Sequence, residues 1–285
     1  MLSPHISILM HVWNAEQFLA EAVDSILAQS FSDFELLAVD GGSTDRTLEI
    51  LAAYADSRIR ILRAPPGIVA ALNFGSSQAR GSWIARQDAD DISRPNRLET
   101  QWAAVQREPR AVFCHTDVEL IGQNVAAIGR ARFPRSQAFF ALRLCYQCPV
   151  VHSSVLFKTE AFRAVGGYHG QQAEDFDLWG RLVETGRVVG LSEKLIQFRI
   201  HDLSASKRHS EVMTTTAEQI AIRHCQRFMR LSETDARHAY AVLSANGRCR
   251  RAEWIWFLRR CAPRLRWKSP ELYAWLGLQT LKMLR

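Results

Sequence analysis

The first ninety residues alternate between short apolar runs and longer stretches whose apolar residues fall three and four positions apart. Ile6–Val12 is a run of the first kind, as expected for a buried parallel strand. Phe18, Leu19, Ala22, Val23, Ile26 and Leu27 then mark one face of an amphipathic helix. Phe34–Asp40 predicts a second strand. It stops at Gly41-Gly42, where Ser43 or Thr44 can cap a helix carrying Leu48, Leu51 and Ala52 to about Tyr54. A third strand is predicted over about 58–63, a third helix over about 68–78, and a fourth strand at Trp83–Gln87. Strands and helices joined by short connections make βαβ units and a parallel sheet covered on both faces.

Beyond that point the alternation loosens. Pro95-Asn-Arg-Leu starts another helix, and Ala111–Ile121 and Val125–Arg132 predict strands joined at Gly122-Gln-Asn124. Pro149–Phe157 and Leu195–His201 read as further strands, with a helix over Asp175–Glu184 between them. After His201 the pattern is helical throughout. One stripe runs through Ala217, Ile220, Ala221, His224, Phe228 and Leu231, another through Trp254, Phe257, Leu258 and Cys261, and a last one through Leu272, Trp275, Leu276 and Met283. The expected organisation is an α/β catalytic domain over 1–206, with a nucleotide-binding half at 1–100 and an acceptor half at 101–206. A helical extension over 207–285 follows.

Composition adds two constraints. Apolar residues make up 47% and charged residues 23% of the 285, which excludes wholesale disorder. The net charge of +7 is unevenly placed: residues 1–201 hold 20 Lys/Arg against 22 Asp/Glu, and residues 202–285 hold 16 against 7. The basic extension calls for an anionic partner, and two readings of it stay open. Its tryptophan and leucine stripes pack on the catalytic domain, or they settle on an anionic membrane surface. No signal peptide is read at Met1-Leu-Ser-Pro-His5, and no apolar run approaches the roughly 20 residues that span a bilayer. A cytosolic protein, peripheral at most on the inner face of the cell membrane, is expected. Six scattered cysteines then read as buried thiols, Cys145-Tyr-Gln-Cys148 being half a zinc-site spacing without its second half.

The chemistry concentrates in Asp88-Ala-Asp-Asp91, directly after a buried strand. Ligands of open α/β sheets bind outside the carboxyl ends of the strands. Carboxylates placed there at alternate positions can face a divalent cation that bridges a diphosphate, and Mg²⁺ needs only one or two of them. A solvated acidic turn before the next helix is the plainer reading. The strand–helix series around the run, with Asp40 ending another strand, favours the chemical one.

Four ordered blocks sharpen this. Ile8-Leu-Met-His-Val-Trp-Asn14, Val39-Asp-Gly-Gly-Ser-Thr-Asp45, the stretch Gly81–Glu99 containing the acidic run, and Ala173-Glu-Asp-Phe-Asp-Leu-Trp179 resemble the inverting glycosyltransferase family 2. Gly166-Gly-Tyr168 and Arg199-Ile-His201 with Ser204 and Ser206 fit the same pattern. The resemblance covers about residues 5–206. It implies a GT-A fold, Rossmann-like and mostly parallel, and a hexosyl-type transfer from a nucleotide sugar by single displacement. The acceptor implied is a lipid-linked or surface polysaccharide precursor. By the same resemblance Asp90 contacts Mg²⁺ or Mn²⁺ on the donor diphosphate, Asp88 lies toward the ribose, and Asp91 supports the loop. Asp175 is the expected general base, with Glu174 as its alternate, and His201 belongs near the metal. Trp13, Asn14, Asp40, Asn73 and Arg199 complete the expected donor site.

The chain departs from the family pattern where the donor base is read. Gly41 stands where relatives carry a second Asp that accepts from the base's ring N–H. His11 replaces a common Pro, Trp13 a usual Tyr, and Pro66 precedes Gly67 where relatives often have a polar residue. Two other functions compete. A nucleotidyltransferase needs a Gly-rich basic loop after the first strand, and His11–Ala15 has neither Gly, Lys nor Arg. A catalytically inactive nucleotide-binding or membrane-associated module on the same fold has only Gly41 in its favour. A nucleic-acid partner lacks any recognition element.

Overall fold

The computed structural model describes residues 3–170, 172–201, 210–245 and 248–284. Ser204 and Ser206 lie outside the described residues. The chain divides into two compact units, one of Met1–Phe133 with Val150–Lys207 and one of Pro134–Pro149 with Arg208–Arg285. The segment 134–149, read from sequence as part of the acceptor half, thus groups with the C-terminal helices.

In the first unit the element order is β1 (Ile6–Val12), α1 (Leu19–Leu27), β2 (Phe34–Asp40), α2 (Thr47–Ala52), β3 (Ile59–Arg63), α3 (Ile68–Ser77), β4 (Trp83–Asp88), β5 (Ile92–Ser93), α4 (Arg97–Arg107), β6 (Ala111–Ile121) and β7 (Ala127–Ala131). After the excursion through α5 (Gln137–Leu144), which belongs to the second unit, come β8 (Val155–Lys158), α6 (Thr159–Ala164), α7 (Glu174–Leu182) and β9 (Arg187–Arg199). Among the described residues these nine strands form one sheet ordered β3-β2-β1-β4-β8-β6-β9-β5, with β7 attached to β6. The strands β3, β2, β1 and β4 pair in parallel. β8 runs antiparallel between β4 and β6, and β6 and β9 are parallel again. Ile6, Ile8, Met10, Leu36 and Ala38 are fully buried, which is why β1 and β2 read as largely apolar runs. The chain winds from β1 out to β3 and returns to β4 on the other side of β1. That reversal leaves a crevice at the carboxyl ends of β1 and β4, where ligands of such sheets bind.

Five elements differ from expectation, and two of them, β5 and α6, are too short to set a period in the sequence. The strand predicted over Pro149–Phe157 begins only at Val155. His152–Ser154 form a 3-10 turn instead, with Ser154 turning both its N–H and its hydroxyl back on the Val151 carbonyl. β9 starts at Arg187, well before Leu195, because its pairing with β6 skips from Leu191 to Lys194; that bulge interrupts the apolar pattern. Helix α5 was invisible to periodicity because Ala138, Phe140, Ala141, Leu142 and Leu144 are all buried, leaving no polar face to set a period.

The second unit contains α5 and four further helices, α8 (Ser210–Met229), α9 (Glu233–Ser244), α10 (Arg251–Arg260) and α11 (Pro270–Leu284). Trp275 of α11 lies among Phe139, Tyr146 and Trp254 at ring-centroid distances of 5.8–6.2 Å. Glu271 accepts the N–H groups of Arg135 and Ser136 at 3.0 and 2.7 Å, holding the start of α5. Trp254 is therefore buried in this unit and Trp275 partly covered, while Tyr273, Leu278 and Leu281 stand more than half exposed along α11. Cys145 and Cys225 are buried in the same unit, and burial pushes the Cys145 thiol well up. Among the described residues no helix is long and apolar enough to cross a membrane.

Candidate active site

The crevice is built from chain that leaves parallel strands on one side of the sheet. His11 pairs with Asp88 across β1 and β4, and Val12 pairs with Asp40 across β1 and β2. Asn14, in a left-handed conformation at φ 48°, ties the two loops that follow. Its Oδ1 accepts the Thr44 N–H at 2.8 Å, and its own N–H donates to Ser43 Oγ at 3.0 Å. Asp40, buried, accepts the Ser43 N–H at 3.0 Å. Trp13, at the tip of β1, is 53% exposed and presents an open aromatic face.

The three carboxylates of the acidic run meet three different surroundings. Asp88 accepts from Arg86 Nη2 at 2.5 Å and from Ser153 Oγ at 2.7 Å. Burial works to raise its pKa, but the Arg86 guanidinium and the Ser153 hydroxyl outweigh it and hold Asp88 below the usual carboxylate range. Asp90 is partly exposed, and its Oδ2 lies 2.8 Å from His201 Nε2. Burial, then repulsion from Asp88, raises its pKa. Asp91 is fully buried and accepts the Arg199 N–H at 2.8 Å; burial and the charges of Asp90 and Asp88 push it well up. Raised carboxylates packed against like charge mark a place where an added cation is stabilised.

A buried frame holds the run in place. Gln87 Nε2 donates to the Asp91 carbonyl at 2.8 Å, and Arg97, fully buried, donates to Gln87 Oε1, Ser93 Oγ and the Arg86 carbonyl at 2.7–2.9 Å. Arg199 comes from β9. It donates to the Asp90 carbonyl at 2.8 Å, the Gln123 carbonyl at 2.6 Å and Glu21 Oε2 at 2.6 Å, and its guanidinium lies 4.4 Å from the Phe18 ring centroid. With no exposed side-chain surface, Arg199 shapes the loop from behind rather than facing the crevice.

Helix α7 brings the second acidic block to the same place. It starts at Glu174 after Ala173, which sits at φ 53°. Glu174 is buried, and burial, then Asp175, raises its pKa to about 7, with Arg86 and Asp88 also within electrostatic reach. Asp175 is less buried and accepts the Phe176 N–H at 2.7 Å. Asn73 stands elsewhere in the arrangement. Its amide donates to the Tyr168 carbonyl and accepts the Tyr168 N–H, both at 2.9 Å, pinning the Gly166-Gly167-Tyr168 turn to α3. Tyr168 in turn reaches His152 Nε2 through its hydroxyl at 2.9 Å.

The crevice thus gathers Trp13, Asp40, Asp88, Asp90, His201, Glu174 and Asp175, while Asn14, Asn73 and Arg199 act on the backbone around it. Sequence reasoning passed over Arg86, Arg97 and Ser153. Arg86 had a signal, being a charged residue inside an apolar strand; Ser153 had none. Among the described residues no three His, Cys, Asp or Glu side chains are grouped to hold a metal by themselves. The half-exposed Asp90 beside His201 instead fits a cation such as Mg²⁺, which draws most of its ligands from phosphate and water.

Comparison with known proteins agrees with this construction. The family model described as Glycosyl transferase family 2 matches residues 7–162. The chain is 31% identical over 238 residues to EpsE of Bacillus subtilis (strain 168), covering 79% of this chain and 83% of that one. It is 32% identical over 210 residues to the O-antigen biosynthesis glycosyltransferase WbnJ of Escherichia coli, covering 71% and 82%. The crystal structure of S. aureus TarS 1–349 in complex with UDP-GlcNAc matches with a TM-score of 0.66 at 17% identity, over 85% of this chain and 71% of that one. The fold is therefore GT-A, and the chain belongs to glycosyl transferase family 2 as a glycosyltransferase enzyme.

Proposed function

We propose that the chain transfers a sugar from a nucleotide-sugar donor to an acceptor hydroxyl with inversion, by a single displacement. The observation that carries this reading is the meeting of Asp88–Asp91 with the start of α7, two carboxylate sets about 85 residues apart in sequence that perturb each other's charge. Trp13 offers its face to the donor base, and Asp40 and Asp88 lie toward the nucleoside. Asp90, with His201 beside it, would hold Mg²⁺ or Mn²⁺ at the donor diphosphate. Such a cation supplies neutralisation of the charge that gathers on the departing nucleoside diphosphate. Asp175 takes the proton of the acceptor hydroxyl as its oxygen attacks the anomeric carbon, and the bond to the diphosphate breaks on the opposite face. Glu174, whose pKa burial and Asp175 raise to about 7, carries less than a full charge at neutral pH and so limits the negative charge around the base.

The acceptor we propose is a lipid-linked or surface polysaccharide precursor, in line with the O-antigen biosynthesis named for WbnJ. Such an acceptor fits action at the inner face of a membrane, with the basic C-terminal unit toward anionic lipid. The test is transfer or donor hydrolysis across a panel of nucleotide sugars with Mn²⁺. Asp90→Ala and Asp175→Asn each lose about 10²–10⁴-fold in kcat. Turnover at the unmodified rate in both variants sinks the reading.

A further inference from the structure

Two glycines follow β2, and they are there for different reasons. Gly42 has φ +97°, a conformation that L side chains rarely adopt. Gly41 has no such backbone demand; what it lacks is space. A Cβ built on it would stand 2.8 Å from His11 Nε2, closer than carbon and nitrogen approach without bonding. The two residues share a face of the sheet. His11 is in register with Val39 on β2, and Gly41 lies two positions past Val39, its N–H donating to the Val12 carbonyl at 3.0 Å. The His11 ring therefore fills the volume that any side chain at 41 would occupy.

That volume opens on the crevice. His11 is only partly buried, lies opposite Asp88 in the β1–β4 ladder, and feels the charges of Arg86, Asp88 and Asp40. Trp13 offers its exposed ring two residues further on.

We propose that His11 and Gly41 are a matched pair, in which the His11 imidazole reads the edge of the donor base from the space a side chain at 41 would have used. This rests on the nucleotide-sugar reading above and adds to it the residue that sets base preference. A neutral imidazole carries one N–H donor and one ring-nitrogen acceptor. Burial, then the Arg86 charge, lowers the His11 pKa to about 4, so the ring is neutral at cellular pH. In the tautomer that turns its acceptor nitrogen to the base, the ring complements a base with a ring N–H beside a carbonyl, as in uracil and guanine. Cytosine and adenine offer no ring N–H there.

Calorimetric titration of UDP, GDP, CDP and ADP with Mn²⁺ tests this. The unmodified protein prefers UDP or GDP. His11→Ala keeps its melting temperature but loses about tenfold in affinity for the preferred nucleotide, the weight of one hydrogen bond, and its preference among the four bases collapses. Gly41→Asp in the His11→Ala background restores both, because a carboxylate acceptor now fits the vacated space. A His11→Ala variant that keeps affinity and preference overturns the pairing while leaving the glycosyltransferase reading intact. A preference for CDP or ADP in the unmodified protein also overturns it. Binding of none of the four would instead remove the nucleotide-sugar reading itself, and this inference with it.

Discussion

Glu174 and Asp175 are neighbours at the start of α7, and burial separates their roles. Glu174 is buried and its pKa is raised from 4.5 to about 7. A folded-state pKa raised above the unfolded value favours the protonated form in the folded chain. The stability this contributes is full below about pH 4.5 and is lost as pH rises through about 7. The melting temperature of the metal-free protein is therefore expected to fall from pH 5 to pH 8 more steeply in the unmodified chain than in Glu174→Gln. Parallel curves for the two would show that Glu174 is not held neutral. At this scale a sequence pattern names residues but not the direction in which their side chains act. Asn73 belongs to a recognisable pattern, yet its amide serves Tyr168, 95 residues away, because the Gly166-Gly167 turn delivers that backbone to it. Nothing local to residue 73 records that arrival.

At the scale of elements, β9 anchors the acidic run. Arg199 joins α1 through Glu21, the β6–β7 turn through the Gln123 carbonyl, and the run itself through the Asp90 carbonyl. An ammonium cannot reproduce a planar fork that donates in three directions. Arg199→Lys should destabilise the fold by about 3 kcal/mol in urea titration, since it leaves buried carbonyls without their donors. It should also lower nucleotide-sugar turnover more than it weakens folding at the assay temperature. A change of less than about 0.5 kcal/mol would contradict the anchoring role. The parallel strands β1 and β2 were legible because burial on both faces leaves a nearly continuous apolar record. The true start of β8 and the first half of β9 were not, since the first follows a turn that satisfies its own backbone and the second carries a bulge. The helix α5 was hidden by the opposite cause, burial on every side.

The whole molecule carries its positive charge in one unit. There, Trp254 is buried and Trp275 packs against it partly covered, so the membrane-surface reading now rests on Tyr273, Leu278 and Leu281, with Lys282 beside them. Co-sedimentation with vesicles containing phosphatidylglycerol is expected to fall about tenfold in the Leu278→Asp, Leu281→Asp double variant, and to be weak with uncharged vesicles throughout. Equal pelleting of the double variant and the unmodified protein would exclude α11 as the contact. The charge imbalance of the tail could be counted from the sequence. That residues 134–149 join it could not, because Glu271 and Trp275 reach them across some 130 residues.

The Arg199 anchor also has a consequence in time. A chain leaves the ribosome from its N-terminus at about 5–20 residues per second. Asp91 receives its backbone partner from a residue 108 positions later. For roughly 5–20 s after residues 88–91 are synthesised, the loop that carries Asp90 has no guanidinium behind it. The first four strands can already pair during that interval, so a nascent sheet forms with its carboxylate loop unpinned. The acidic loop is thereby pinned only once β9 has been made, so the frame around Asp90 is completed well after the first four strands have paired.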